Sequence, residues 1–273
     1  MNTQEVISFV EGKLQANGFV SYKAETRLIL EHVLAKAYYQ IGLEPKVLSQ
    51  VELAKLNSII KRRLNKEPLQ YILAEIEFFG IRLKLNPEVL IPRVETETLV
   101  AQIIALRPKK ILDLATGSGA IAIAIKANLP NAIVAASDIS QAALAIAKEN
   151  AKANQLDIEF FCSDLFENKD LQNYVKDADM IVANLPYLPM ADKASFKDLA
   201  FEPSLALFSG QDGLDLFRRF EQEVWQLIKP KTIVFCELDP RNIELAYELC
   251  KAWAKREIIL DILGRKRFLK LCK

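Results

Sequence analysis

The chain lacks the side chains on which several enzyme classes depend. Among its 273 residues there is a single histidine, His32, and its four cysteines are scattered without a C-x-x-C pair. A zinc site needs clustered histidine, cysteine or carboxylate ligands, and a Ser-His-Asp triad needs a histidine beside its nucleophile. His32 lies in a helical apolar pattern, so we expect it on a helix face and expect no metal site. The composition therefore argues against zinc enzymes and serine-type hydrolases.

The chain also lacks an excess of charge and a long apolar run. Its 36 basic and 35 acidic residues give a formal net charge of +1, whereas proteins that bind many nucleic-acid phosphates carry a larger basic excess. No apolar run reaches bilayer length, and the first residues show no signal-peptide pattern. We therefore expect a cytoplasmic protein with no membrane partner and no direct binding of nucleic acid.

The hydrophobic pattern divides the chain into three regions. Helical spacing over residues 1–66 predicts a small bundle of about four helices. Short alternating runs punctuated by glycine and proline predict a β-hairpin connector over 67–92. From 93 to 273 apolar strands alternate with helices, which predicts a mostly parallel sheet covered on both faces. The strand candidates are residues 110–115, 132–138, 158–164, 180–184 and 232–238, followed by a final pair, EIILDIL and RFLKLCK.

The first strand candidate runs into a glycine-rich loop, DLATGSG, that precedes a helix. Gly117 and Gly119 allow a sharp turn and the close approach of a ligand. Asp138 ends the next strand, and its carboxylate can accept hydrogen bonds from ribose hydroxyls. The loop also satisfies the dinucleotide pattern G-x-G-x-x-A, so it fits either NAD or S-adenosylmethionine. Asp113 favours S-adenosylmethionine, because a carboxylate repels a pyrophosphate but can pair with an amino group.

The fourth strand candidate ends in Asn184-Leu185-Pro186-Tyr187, at the sheet edge that the glycine loop also occupies. An amide or aryl amine nitrogen is a poor nucleophile. Its two N–H groups can donate hydrogen bonds to the Asn184 side-chain oxygen and the Leu185 carbonyl. These two bonds direct the nitrogen lone pair at a methyl group. Pro186 stiffens the turn, and Tyr187 can pack on the amide face. The segment therefore predicts methyl transfer to an amino group without a general base; an ordinary strand-ending turn is the alternative.

NLPY resembles the Asn-Pro-Pro-Tyr signature of S-adenosylmethionine-dependent amino-methyltransferases. Further segments resemble the PrmC/HemK family, glutamine methyltransferases that act on peptide chain release factors: LQYILAEIEFFGIRL, VLIPRVETETLV, ILDLATGSGAIAIA, FEPSLALFSGQDGLDLFR and DILGRKRF. The resemblance implies an α/β fold with a Rossmann-like class I methyltransferase sheet, whose final strand pair is antiparallel. It also implies a small N-terminal helical-bundle domain that docks the substrate, and methyl transfer to the glutamine of a Gly-Gly-Gln motif.

Site residues follow from the loop and from the resemblance. Cofactor contacts are expected at Asp113, Ala115, Thr116, Gly117, Ser118, Gly119, Asp138, Leu165 and Asn184. Catalytic roles are expected for Asn184, Pro186 and Tyr187, with Leu185 as a further contact to the substrate glutamine. Three residues depart from the family pattern, since Ala115 replaces a glycine, Leu165 an aromatic residue and Leu185 a proline. The segments expected to flank the cleft carry three charged residues, Arg93, Glu95 and Glu202. The resemblance implies that these residues contact the substrate, and the alternative is surface solvation or an interdomain salt bridge.

Three other functions fit parts of the sequence. An adenine or guanine amino-methyltransferase acting on DNA or RNA uses the same Asn-x-Pro-Tyr segment to hold a flipped base, although the near-neutral charge argues against it. A binding module that kept the fold without activity is disfavoured by the retention of Asp113, Asp138 and Asn184. A nicotinamide oxidoreductase is consistent with the glycine loop but with no other segment singled out above.

Overall fold

A computed structural model describes residues 1–43, 46–195 and 199–273. The chain forms two compact units, Met1–Glu75 and Ile76–Lys273. In the part of the chain that is described, no helix combines the length and the apolar character needed to span a bilayer.

The first unit is helical, as the spacing of its apolar residues predicts. Its helices are α1 (Thr3–Ala16), α2 (Tyr22–Leu34), α3 (Tyr38–Leu43), α4 (Gln50–Leu64) and α5 (Leu69–Leu73). Two of them begin with capping boxes, Asn2 with Glu5 and Ser49 with Glu52, which satisfy backbone N–H groups that a helix start leaves unpaired. Val6, Val10 and Leu14 recur on one face of α1 and are fully buried in the core of the unit. His32 lies on α2, as expected.

The predicted connector is part helix and part hairpin. Its first half forms α5, with Pro68 at the N-cap and Ala74 at the C-cap. This helix belongs to the helical unit. Strands β1 (Glu75–Phe78) and β2 (Ile81–Lys84) then pair in a separate two-stranded sheet. The two residues between them, Phe79 and Gly80, both have positive φ angles, as a tight hairpin turn requires. The boundary between the units therefore lies at residue 75, later than the predicted residue 66.

The second unit contains a seven-stranded sheet. Its strands are β3 (Lys110–Leu114), β4 (Ile133–Asp138), β5 (Glu159–Cys162), β6 (Met180–Ala183), β7 (Ile233–Glu237), β8 (Lys255–Leu260) and β9 (Lys266–Cys272). Their order is β5-β4-β3-β6-β7-β9-β8. The first five of these are parallel, and β9 pairs antiparallel with both β7 and β8. The fold class and the antiparallel final pair are thereby confirmed.

Helices cover both faces of this sheet. Successive residues of its central strands point to opposite faces, and the residues on both faces are apolar. The helices are α6 (Val94–Leu106), α7 (Ala120–Asn128), α8 (Gln141–Ala153), α9 (Lys169–Lys176), α10 (Asp215–Leu227) and α11 (Ile243–Leu249). Leu112 and Ile181 face a core shared with α9, α10 and α11, whereas Ile111 and Val182 face a second core shared with α6 and α7.

The strand order reverses between β3 and β6, and this reversal places the site. The register pairs Leu114 with Ala183, so the residues that follow, Ala115 and Asn184, leave the sheet side by side. A crevice at the carboxyl ends of parallel strands, at such a switch point, is where open α/β sheets bind ligands.

Candidate active site

A cavity of about 450 Å³ opens at this edge of the sheet. It lies within the usual size range of small-molecule sites, ~300–1,000 Å³. Its wall combines the loop after β3, the ends of β4, β5 and β6, the segment before α6 and a short 3₁₀ turn, with Ala115, Asp138, Leu165, Asn184, Pro92 and Leu205 among its residues. The segments singled out in the sequence therefore meet around one apolar cavity with a few polar groups.

The glycine loop, residues 115–119, follows a left-handed path. Ala115, Gly117 and Gly119 have φ angles of 58°, 55° and 83°. At Gly117 the space beside the backbone is open, so a ligand can approach the main chain closely. At Gly119 an added Cβ would lie 3.1 Å from the Cβ of Ala147, because α7 starts there against α8. The first two residues shape the cavity wall, and Gly119 allows the helices to pack.

Asp113 supports this loop from beneath. Its Oδ2 accepts hydrogen bonds from the Thr116 hydroxyl at 2.6 Å and the Ala122 N–H at 3.1 Å. Burial raises its pKa to about 7 despite these bonds, and its Oδ1 is buried with no hydrogen-bond partner among the described residues. Neither Asp113 nor Gly119 lines the cavity. This placement differs from the direct cofactor contact expected for both, because the strand end and the helix start lie below the loop surface.

Asp138 lines the cavity from the end of β4. Its Oδ2 accepts the Gly117 N–H at 2.9 Å and its Oδ1 accepts the Ser140 N–H at 2.9 Å. Burial raises its pKa, although both N–H bonds favour the ionised form. A carboxylate has further lone pairs beyond these two bonds, so Asp138 can still accept from a ligand.

Leu165 follows β5 and closes the same side of the cavity. Its φ angle of 44° is unusual for a branched side chain, which places it in a sharp turn after the strand. Next to it, the Asp164 carboxylate accepts a hydrogen bond from the Arg219 guanidinium of α10 at 3.2 Å, and both residues line the cavity. The side of the cavity after β5 is thus formed by one apolar residue and one ion pair.

The NLPY segment, residues 184–187, begins where β6 ends. The Asn184 side chain is half-buried on the cavity wall, and within residues 1–43, 46–195 and 199–273 it makes no hydrogen bond. Leu185 is 2% exposed and packs into the core, so its replacement of the family proline adds little freedom. Pro186, which also lines the cavity, further restricts the backbone of Leu185.

Tyr187 lies behind the cavity wall. Its hydroxyl donates to Glu237 Oε1 at 3.2 Å, and its carbonyl accepts from the Asn242 amide at 2.9 Å. Burial and the adjacent Glu237 carboxylate raise the pKa of Tyr187, so the phenol stays protonated. The expected packing of Tyr187 on the substrate amide remains a prediction, since the ring does not line the cavity.

The charged segments near the cleft form an internal ion pair. Arg93 contacts Glu202 at 2.5 Å, and the other Glu202 oxygen accepts the Ile91 N–H at 3.1 Å. The Glu202 side chain is only 2% exposed. Since Pro92 and Pro203 both line the cavity, this pair ties together two parts of its wall. Glu95 lies in the first turn of α6.

Sequence reasoning did not identify three residues that support the NLPY segment. Glu237 ends the buried strand β7, Asn242 precedes α11, and Gly213 has a φ of 83° with no room for a Cβ, which would lie 2.1 Å from the Tyr187 carbonyl. An acidic residue at the carboxyl end of a buried parallel strand was a usable signal for Glu237. Asn242 and Gly213 gave none, because their contacts are set by the tertiary fold.

Family models match both units. The PrmC N-terminal domain model matches residues 5–73, and the Methyltransferase small domain model matches residues 94–199. Among solved structures, the hMettl16 catalytic domain in complex with MAT2A 3'UTR hairpin 1 aligns with a TM-score of 0.57 at 17% identity, covering 81% of this chain and 80% of that one. The Thermus thermophilus 16S rRNA N2 G1207 methyltransferase in complex with AdoMet and guanosine aligns with a TM-score of 0.52 at 16% identity, covering 73% and 49%. At these identities the likeness shows the fold.

Curated relatives extend over most of the chain. The release factor glutamine methyltransferase of Flavobacterium psychrophilum is 33% identical and covers 88% of this chain and 90% of its own. That of Deinococcus radiodurans is 36% identical and covers 99% of this chain and 98% of its own. Identity at this level, over almost the entire length of both chains, shows that the chain belongs to the release factor glutamine methyltransferase family of S-adenosylmethionine-dependent enzymes.

Proposed function

We propose that this chain transfers a methyl group from S-adenosylmethionine to the side-chain amide nitrogen of the glutamine in the Gly-Gly-Gln motif of peptide chain release factors. One observation carries the proposal. The Asn184 amide lies on the cavity wall at the end of β6, beside the glycine loop, with its hydrogen-bonding groups available. The names of the relatives that cover most of the chain support the choice of a release factor.

The residues of the cavity fit the cofactor. The open backbone at Gly117 suits a ligand that approaches the main chain, Asp138 suits ribose hydroxyls, and Leu165 suits the face of a purine. When bound, S-adenosylmethionine supplies an electrophilic methyl group on a positively charged sulfur. Asp113 then acts through Thr116 and Ala122, by fixing the loop that holds the cofactor.

Asn184 and Leu185 provide the chemistry by positioning. The Asn184 side-chain oxygen and the Leu185 carbonyl each accept one N–H of the glutamine amide, which fixes the nitrogen and directs its lone pair. Positioning of this kind can lower a barrier by up to ~7–11 kcal/mol. The nitrogen gains the methyl group and then releases one proton to water, so no histidine or other base is required.

The substrate class is tested by labelled methyl transfer. The protein is incubated with S-adenosylmethionine carrying a labelled methyl group and, separately, with a release factor, ribosomal RNA and DNA. We expect label on the factor at one glutamine, and no label on a factor whose Gly-Gly-Gln glutamine is replaced by alanine. Equal or better labelling of RNA or DNA would instead establish the nucleic-acid amino-methyltransferase.

The helical unit is proposed to dock the factor in the cytoplasm, where translation factors act. The match of residues 5–73 to the PrmC N-terminal domain supports this role. Binding energy from remote contacts raises turnover at the reacting group, so the folded factor should be methylated at least about tenfold more efficiently than a peptide with the same Gly-Gly-Gln segment. Equal kcat/KM values for the two substrates would remove the docking role.

A further inference from the structure

The methyl-transfer scheme leaves one buried carboxylate next to the NLPY segment unused. Glu237 is 1% exposed at the end of β7, the strand that pairs with β6. Its Oε1 accepts the Tyr187 hydroxyl at 3.2 Å, and its Oε2 accepts the Thr96 hydroxyl at 2.7 Å. Burial raises the pKa of Glu237. Burying a carboxylate disfavours folding unless its hydrogen bonds are made, so its presence beside the site calls for a functional reason.

Glu237 and Asn242 hold Tyr187 at opposite ends. Asn242 Nδ2 binds the Tyr187 carbonyl, which fixes the backbone, and Gly213 leaves just enough space for that carbonyl. Glu237 binds the hydroxyl at the far end of the ring. The backbone of Tyr187 is thus held by Asn242, and the far end of its ring is held separately by Glu237.

Glu237 does not line the cavity, and its two carboxylate oxygens are bound by the Tyr187 and Thr96 hydroxyls. Its contact with the site therefore runs through these two side chains. Thr96, by contrast, is itself a cavity residue. Both partners of Glu237 therefore belong to the site or to the segment that forms it.

We propose that Glu237 is a positioning residue for methyl transfer, which locks the Tyr187 ring and Thr96 in the orientation that the substrate amide requires. This inference rests on the proposed function for its substrate. Its physical content, the coupling of Glu237 to the Tyr187 ring, is a property of the free protein and can be measured without any substrate.

The kinetic test is a double-mutant cycle with Glu237→Met, Glu237→Gln and Tyr187→Phe. Glu237→Met keeps the volume and removes both acceptors, so kcat should fall about tenfold while the cofactor Kd stays within about twofold. Glu237→Gln keeps one acceptor and gains a donor, so it should recover most of the loss. In the Tyr187→Phe background Glu237→Met should have a much smaller effect, with Thr96 accounting for the remainder. If the fold-losses in kcat of Glu237→Met and Tyr187→Phe multiply in the double variant, the two residues act independently and the proposal is overturned.

Tyr174→Phe provides the matched control. Tyr174 also buries its hydroxyl against protein acceptors, the Ile111 and Ile133 carbonyls, but lies outside the site. Its loss should lower the Tm and leave kcat unchanged. If Glu237→Met behaves in the same way, with a lower Tm and wild-type kcat and KM, Glu237 is structural only and the proposal fails.

A spectroscopic test covers the case in which Glu237→Met does not fold. The seven tyrosines are labelled as 3-fluorotyrosine, and the Tyr187→Phe spectrum identifies the Tyr187 fluorine signal. Glu237→Gln should shift or broaden this signal and leave that of Tyr174 in place; an unchanged Tyr187 signal refutes the coupling. If wild-type protein fails to methylate a release factor while the signal still shifts, the substrate assignment is wrong but the link between Glu237 and Tyr187 stands.

Discussion

The glycine loop and the NLPY segment lie side by side at the sheet edge but are stabilised in different ways. The loop is held from nearby in the sequence. Asp113 binds Thr116 three residues away, and Asp138 binds Gly117 at a separation of 21. The NLPY segment is held from afar. Tyr187 is bound by Glu237 and Asn242 at separations of 50 and 55 residues.

The two regions also differ in what fixes their conformation. The glycine loop adopts left-handed conformations at Ala115, Gly117 and Gly119 and needs small residues there. The NLPY segment needs no unusual φ angle, and its rigidity comes from Pro186, buried Leu185 and the support behind Tyr187. The proposed cofactor side is therefore shaped by backbone geometry, whereas the proposed substrate side is shaped by side-chain packing. Substitutions should affect affinity on one side and turnover on the other.

The largest effect is expected at Asn184. Asn184→Asp keeps the shape and an acceptor oxygen but adds a charge beside the cofactor sulfonium, which favours the charged ground state over the transition state. Turnover should fall by on the order of 10²–10³, while the cofactor Kd measured by titration calorimetry holds or tightens. Because Asp is also a good turn former, near-wild-type turnover in a folded variant would reduce Asn184 to a turn residue.

The second effect concerns the support of the glycine loop and its dependence on pH. Burial raises the pKa of Asp113 from an ordinary 3.8 to about 7, so the folded state binds the proton more tightly than the unfolded state. The stability due to this proton is complete below about pH 4 and is lost as the pH rises through about 7. Relative to Asp113→Asn, the wild type should lose roughly 3–4 kcal/mol of unfolding free energy between about pH 4 and 8.

Denaturant unfolding at a series of pH values measures this difference. Asn fits the site, since its oxygen can accept from Thr116 and Ala122 as Asp113 does. The neighbouring Asp138, whose pKa is also raised, is present in both proteins and largely cancels in the comparison. A difference in stability that does not change with pH would contradict the raised pKa of Asp113.

Cofactor affinity should depend on Asp138 far more than on the NLPY segment. Asp138→Ala removes the proposed acceptor for the ribose and the carboxylate that fixes the Gly117 N–H. A hydrogen bond to a charged group contributes about 1.5–3 kcal/mol, so the Kd for S-adenosylhomocysteine should rise ~10–100-fold. Tyr187→Phe serves as the control on the substrate side and should leave this Kd unchanged. An equal rise of this Kd in both variants would contradict the proposal that one region binds the cofactor and the other the substrate.

The same contrast explains what the sequence could predict. Periodicity located all seven strands of the main sheet, and their ends lie within a few residues of the predictions, because apolar runs and their flanking turns are local signals. The glycine loop and Asn184 were likewise recognisable as short motifs at strand ends. Both proved to line one cavity, which follows from the strand order.

What the sequence could not show was the support behind the motifs. The orientation of Asp113, beneath the loop, depends on the Thr116 hydroxyl and the start of α7. The contacts of Tyr187 with Glu237 and Asn242 depend on strands and turns that meet only after folding. Leu185 departs from the family proline in the sequence, and only the structure shows that burial among core residues restricts it.

The smallest effect is expected at Ala115, where the loop departs from the family glycine. Its φ angle of 58° costs an L-residue with a Cβ roughly 1–2 kcal/mol, whereas glycine adopts it freely at an entropic cost of about 0.5–1 kcal/mol. Ala115→Gly should therefore raise the unfolding free energy by about 0.5–1 kcal/mol in denaturant titrations. Ala101→Gly, at an exposed helical position of α6, is the matched control and should lower it by about 1 kcal/mol. Opposite signs for the same chemical change would show that backbone geometry governs the cofactor side, and a loss of stability in both variants would contradict it.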